Sequence, residues 1–472
     1  MQDRTRTSDT PLATGPLPVD PDPPSHWGIE PLPPELRKLR GRDVAVLWAN
    51  LGVGLLVVVT GGFLTAPPEQ FGFGLSLPAA LVTIVLGSII GCGLLALGGV
   101  VGTAEGRPTM ALLRPVLGTK GSFVASALNA LQLFGWTAFE LWAMALVADL
   151  LSQTLFGFRG FGIWLFAFTA ITLAFSLWGP LGVVREWMEK FASWILLAIA
   201  TIGTVYIVAT LDLASLWNRG GASGIRVLGV PLDLVIVMPV SWLPLVADYN
   251  RYCSSKRGSF WGTFGGYLVS NIWFYLIGAV LLMTPDATAT PSGIAVGILA
   301  IAGLTISGTL LLAGLLVGES DQAFANVYSG AVSLRNIFPR TDNRLLVTIV
   351  TLTGAALASR LSMLDYELFL FLLGSIFIPL IGIWFADYFI LKNRTEHPGI
   401  RIRSFIPWIA GFLLYHWIAP TPLPWWTSLI NNVVGHPLST KLPWLGASLP
   451  TLLLAFLLHL AIGRPRTPRP PT

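Results

Sequence analysis

The sequence predicts an all-α integral membrane protein with twelve transmembrane helices. Three observations predict it: an apolar composition, apolar stretches of membrane-spanning length, and a one-sided placement of basic residues. Of the 472 residues, 54% are hydrophobic and only 11% are charged, against about a quarter charged in soluble domains. Mean hydropathy is +0.70. The 18 Trp suit interfacial belts or aromatic faces inside a bundle.

Twelve apolar stretches each approach the roughly 20 residues needed to cross hydrocarbon. They are 44–66, 77–101, 122–151, 161–178, 190–211, 230–248, 261–283, 304–334, 342–360, 365–390, 404–421 and 444–463. The further apolar piece 287–303 reads as a re-entrant or surface helix. Residues 1–25, rich in Pro, Thr and Asp, read as a disordered tail with no apolar core of a signal peptide. The Pro- and Arg-rich 464–472 reads the same way. The organisation is therefore a tail and pre-membrane segment (1–43), a ten-helix transport core (44–390), helices eleven and twelve (391–463) and a terminal tail (464–472).

Lys and Arg collect on the cytoplasmic side of membrane proteins. With the N-terminus inside, five of the 29 basic residues fall outside: Arg159, Arg219, Arg226, Arg360 and Lys441. The other 24 fall in the tails and even-to-odd loops, as do Arg251, Lys256 and Arg257 after span six. A count wrong by one helix would scramble this partition. It predicts a multi-pass protein of the plasma (inner) membrane with both termini cytoplasmic. The net charge of +5 follows from this topology and says nothing about nucleic acid; the bilayer is an expected partner. No obligate protein partner is evident. Cys92, in an apolar helix, and Cys253, in a basic loop, are expected as free thiols.

Ionisable groups within hydrocarbon are costly and mark function. Span three holds Asn129, Gln132, Trp136 and Glu140, spaced to share one helical face. Span eight holds Glu319, Ser320, Asp321, Gln322 and Asn326; Glu319, Gln322 and Asn326 share a face and Ser320 and Asp321 flank it. The bland alternative is that such residues only tie helices together. Two acids in one turn with no basic partner in any span argue for function.

Two helices read as broken. Span six carries Pro239 and Pro244 in Met238-Pro239-Val240-Ser241-Trp242-Leu243-Pro244, which frees backbone carbonyls inside the membrane. Span one carries Asn50-Leu51-Gly52-Val53-Gly54 at a similar depth. Broken helices at matching positions of two halves point to a substrate site. Spans one and six are five apart, as are the polar spans three and eight. That agrees with a five-plus-five inverted repeat and two C-terminal helices, the LeuT-like plan. Span six ends in Ala247-Asp248-Tyr249 and span ten in Ala386-Asp387-Tyr388. Asp248, with Arg251 one turn on, and Asp387 read as cytoplasmic gate or anchoring residues. The five His, at 26, 397, 416, 436 and 459, form no cluster, which argues against a membrane-embedded enzyme; a channel would not need two broken helices.

Four segments in order then resemble the purine–cytosine permease, or nucleobase:cation symporter, family. They are Gly28-Ile29-Glu30-Pro31-Leu32-Pro33; Ser241-Trp242-Leu243-Pro244 leading to Asp248-Tyr249-Asn250-Arg251-Tyr252; Ala325-Asn326-Val327-Tyr328-Ser329; and Phe377-Ile378-Pro379-Leu380 to Asp387. The Ser-Trp-Leu-Pro form is most similar to the hydroxymethylpyrimidine carrier branch. The resemblance implies symport with sodium or a proton, no other cofactor, and a small heterocyclic substrate as partner, its flat ring held between aromatic side chains of helices three and six. It places Trp136 at the stacking position and Glu140 where a better-known member has a neutral amide. Asn326 falls on the substrate, with Gln132, Gln322 and Trp242 around it. Ser320 and Asp321 fall near the cation, which would also meet the carbonyls of Gly52 and Val53. Pro239 stands where that member has its second Trp, so whether Trp242 closes the sandwich stays open at this point. A carboxylate only accepts hydrogen bonds, so Glu140 suits a ring edge with N–H or amine, such as hydroxymethylpyrimidine or cytosine. Purines, uracil, allantoin and hydantoin are the alternatives within the family.

Overall fold

The computed structural model of the chain describes residues 28–70, 72–179, 183–303, 306–419 and 424–463. The expected tails, 1–25 and 464–472, lie outside the described residues. Each of the twelve expected spans contains helix. Spans two to five are Leu77–Glu105, Thr119–Phe156, Phe161–Trp178 and Ser193–Thr210. Spans seven to ten are Lys256–Leu281, Ile306–Ile337, Asn343–Ala358 and Met363–Phe385, and spans eleven and twelve are Ile402–Ile418 and Ser448–Ile462. Among the described residues, seven helices are long and apolar enough to cross a membrane, or eight when the two halves of span one are joined. Spans nine, eleven and twelve have 16, 17 and 15 residues, short of the roughly 20 of a full crossing. Span eight is long but carries the polar run from Glu319 to Gln322.

The apolar piece before span eight holds a helix, Pro291–Ala302, packed on spans one, three, five and eight. Several elements lie wholly or mostly outside the expected spans and the piece 287–303; two of these, among the described residues, have ten residues or more. A π-helical segment, Val183–Ala192, precedes span five and packs on the first half of span one. A helix at Pro424–Val434 packs on span eleven.

Spans one and six are both interrupted. Span one is a helix at Gly41–Leu51 and another at Leu55–Thr65, bent by 60°. Gly54 is fully extended at the break, with φ −174° and ψ 161°. Span six runs as helix over Gly229–Ser241, tightens into a 3₁₀ turn at Leu243–Leu245 and resumes at Val246–Asn250. The cause is local: Pro239 and Pro244 cannot donate to the preceding turn.

The packing has the symmetry of an inverted repeat. Span one lies on span seven, and span six lies on span two, its partner displaced by five. Spans three and eight pack on each other; three also packs on nine as eight packs on four. Small residues permit the close pairs. On span two, Gly91 abuts the Ile236 carbonyl and Gly102 abuts Ala247 of span six. On span seven, Gly262 and Gly266 face the carbonyls of Gly41 and Ala45. This is small-residue packing of membrane helices, where close backbone approach replaces a hydrophobic drive. Burial follows the same plan: the most apolar 18 residues of span six are 89% buried and those of spans four and five 22%, so the last two turn apolar side chains such as Phe166 outward.

Candidate functional site at the two helix breaks

A broken membrane helix leaves polar backbone groups that must find partners. Here the partners are the polar faces of spans three and eight. Gln132 donates through Nε2 to the Ser241 carbonyl at 3.0 Å, and Asn129 donates through Nδ2 to the Pro244 carbonyl at 3.3 Å. Span three thus caps the break in span six. On the other side, Gln322 Nε2 donates to the Val53 carbonyl at 2.6 Å, and Glu319 Oε1 accepts from the Leu55 amide. Span eight caps the break in span one. A side chain at Gly54 would collide with Gln322 and Glu319, which is why the break reads Gly-Val-Gly.

Trp136 and Glu140 lie on the face of span three that begins with Asn129 and Gln132, and both are buried. The rings nearest Trp136 belong to span ten: Tyr366 at 6.1 Å and Phe369 at 5.3 Å between centroids, both edge-on. Phe139 joins this aromatic wall at 5.2 Å from each of the two. Trp242 turns elsewhere and packs edge-on against Trp48 of span one at 6.2 Å. The Glu140 carboxyl lies beside that of Glu319, and Tyr366 borders both acids. The two carboxyls hydrogen-bond to each other; apart from that contact neither Glu140 oxygen nor Glu319 Oε2 has a partner, and the buried Gln132 Oε1 and Asn326 Nδ2 have none.

The residues that the resemblance groups around a cation make the following contacts. Val53 meets Gln322, and Gly52 packs against Ser270 of span seven. Asp321 points to the segment before span five, where Trp187 Nε1 donates to its Oδ1 at 2.7 Å. Ser320 donates to the Leu316 carbonyl of its own helix at 2.8 Å and contacts Met144 of span three. Among the described residues no three His, Cys, Asp or Glu side chains gather as a metal site.

Four residues missing from the sequence-derived site border it: Glu319, Phe139, Tyr366 and Phe369. Glu319 was legible as sharing the face of Gln322 and Asn326. Phe139 neighbours Glu140 in sequence, and Tyr366 and Phe369 left a weaker signal, aromatic residues three apart in an apolar helix. Of the gate residues, Asp248 accepts the Thr109 amide at 3.0 Å. Arg251 donates to Tyr328 Oη at 3.1 Å and to the Gly28 carbonyl at 3.0 Å. Asp387 meets His459 of span twelve at 3.2 Å. Cys92 and Cys253 are buried free thiols.

The family model described as a permease for cytosine/purines, uracil, thiamine and allantoin matches residues 31–404. The chain belongs to that family. The permease is 26% identical over 381 residues to a protein of Bacillus subtilis (strain 168) that carries the name purine-cytosine permease YxlA. That match covers 77% of the permease and 79% of the relative. It is 25% identical over 406 residues to the hydantoin permease of Microbacterium maritypicum, covering 80% and 78%. Its fold is similar to that of Mhp1, a nucleobase-cation-symport-1 family transporter solved closed with bromovinylhydantoin bound. The TM-score is 0.73, over 94% of the permease and 95% of Mhp1, at 21% identity. The fold is LeuT-like, and the family makes the permease a multi-pass membrane transporter.

Proposed function

We propose that the permease performs cation-coupled symport of a flat nitrogen heterocycle, and that the ring is an aminopyrimidine such as hydroxymethylpyrimidine or cytosine. The observation that carries this reading is the position of Trp136 and Glu140. They sit on one face of span three, between the cap on the span six break and the cap on the span one break. Trp136 supplies a π-face for any ring; Glu140 selects by its acceptor-only carboxylate. Asn326, Gln322 and Gln132 border the same space, and in this reading Asn326 turns its unpartnered amide to the ring. The coupling ion, sodium or a proton, is assigned to the region of Asp321, Ser320 and the Gly52 and Val53 carbonyls. The relatives named for purine-cytosine and hydantoin keep those rings as alternatives. The protein is placed in the plasma (inner) membrane with both termini cytoplasmic.

The test is uptake into proteoliposomes of a panel of labelled pyrimidines, purines and hydantoins, under inward sodium or proton gradients. Saturable, gradient-dependent uptake of an aminopyrimidine ahead of uracil is the expected result. Trp136→Ala should weaken binding by about 1–3 kcal/mol, roughly fivefold to 150-fold. Unchanged affinity in a well-inserted Trp136→Ala protein would remove Trp136 from the site.

A further inference from the structure

Glu319 adds a second acid to the one that the substrate reading already uses. It comes from span eight and Glu140 from span three, so the two acids approach from opposite halves of the repeat. Both are fully buried. The two carboxyls hydrogen-bond to each other, and beyond that contact Glu319 accepts from the Leu55 amide. That amide opens the 11-residue helix Leu55–Thr65, so Glu319 sits at a helix N-terminus, where the helix dipole stabilises one negative charge. Glu140 has no such support. No Lys or Arg among the described residues pairs with either acid. A carboxylate only accepts, so this contact holds one proton and leaves the pair one negative charge, which is strongly unfavourable when buried without a cation. An aromatic wall of Trp136, Phe139, Tyr366 and Phe369 lies against them. Aromatic faces attract cations through the ring quadrupole. Carboxylates bind paired N–H donors most strongly when the donor is charged.

We infer that the ring this site selects is itself a cation, a flat heterocycle whose positively charged N–H edge takes the place of the shared proton between the Glu140 and Glu319 carboxylates. The inference rests on reading this space as the substrate site. It makes Glu319 a specificity-determining residue, and it places the positive charge on the substrate as well as on any coupling ion. An amidine-like edge, with a protonated ring nitrogen next to an exocyclic amine, presents two parallel N–H donors and fits one carboxylate as a guanidinium does. The second carboxylate then balances the remaining field and excludes rings that turn a carbonyl toward it.

The test uses two isosteric probes on the purified full-length protein, 4-amino-1-methylpyridinium (a permanent cation) and 4-methylaniline (neutral). Each competes against the best pyrimidine from the uptake panel. The cation should bind at least about tenfold more tightly. Glu140→Gln and Glu319→Gln should each reduce that preference, and the double variant should abolish it while still binding the neutral probe. The Gln side chain keeps an acceptor for the Leu55 amide, so packing at the break survives. Equal or tighter binding of the neutral probe by the unaltered protein overturns the inference; it would mean that a proton or sodium ion already neutralises the pair. If Trp136→Ala leaves both probes and the pyrimidine unaffected, the substrate-site reading falls as well.

Discussion

At the residue scale, the polar face of span three shows what spacing can and cannot reveal. Offsets of three and four place Asn129, Gln132, Trp136 and Glu140 together, and the helix keeps them together. Spacing could not tell which of them face a ligand and which face backbone. Asn129 and Gln132 spend their amide donors on carbonyls of span six, a use visible only once the break is in place. Trp242 illustrates the same limit, because a tightened turn after Ser241 aims it at Trp48. Asp321 is the sharpest residue-scale test. Its bond to Trp187 Nε1 needs only an acceptor oxygen, and Asn supplies one. Asp321→Asn therefore preserves packing while removing the charge. Asp321→Asn should abolish concentrative uptake and spare substrate exchange. Each positive charge moved inward through 100 mV supplies about 2.3 kcal/mol, roughly a fiftyfold factor in accumulation. Accumulation that persists in the variant, with unchanged sodium and pH dependence, would assign Asp321 to packing alone.

At the element scale, both breaks were legible because Pro and Gly announce themselves locally. Their partners were not, since a cap is a contact between segments far apart in sequence. Span twelve is a further case. It has only 15 residues and begins without a capping side chain of its own. Asp233 of span six provides one, accepting the amides of Ala447 at 2.5 Å and Ser448 at 2.8 Å. At the other end His459 meets Asp387 of span ten. Two buried acids thus fix a short helix at both ends, and only Asp387 stood out in the sequence, through its echo of Asp248. Asp233→Ala leaves two helix-terminal amides without a partner. It should cost about 0.5–2 kcal/mol, seen as a lower unfolding temperature of the purified protein. Asp233→Asn, which keeps an acceptor, should lose less. Equal stability of both variants with the unaltered protein would show that span twelve does not depend on this cap.

At the scale of the whole molecule, the pre-membrane segment works as a strap across the end of the bundle where spans two and six finish. Leu39 exchanges backbone hydrogen bonds with Tyr252 and Ser254, and Arg37 ties Leu32 to Thr103 at the end of span two. Cys253 lies buried beneath it in the loop between spans six and seven. Burial pushes its thiol above the ordinary value, so thiolate appears only as pH rises, and maleimide labelling at neutral pH should be slow. Arg37→Ala removes charge-assisted bonds worth about 1.5 kcal/mol or more. It should raise the labelling rate of Cys253 about tenfold at the same pH. An unchanged rate would show that the strap is held elsewhere. The crossed caps at the two breaks carry a last consequence, one for biosynthesis. Leu55 and Glu319 are 264 residues apart. At 5–20 residues per second, the ribosome needs roughly 13 to 53 seconds to deliver the second after the first. For that interval the newly inserted first helix waits in the bilayer with its kink unsealed. The nascent chain must shelter that kink, or postpone forming it, until the far half of the protein emerges.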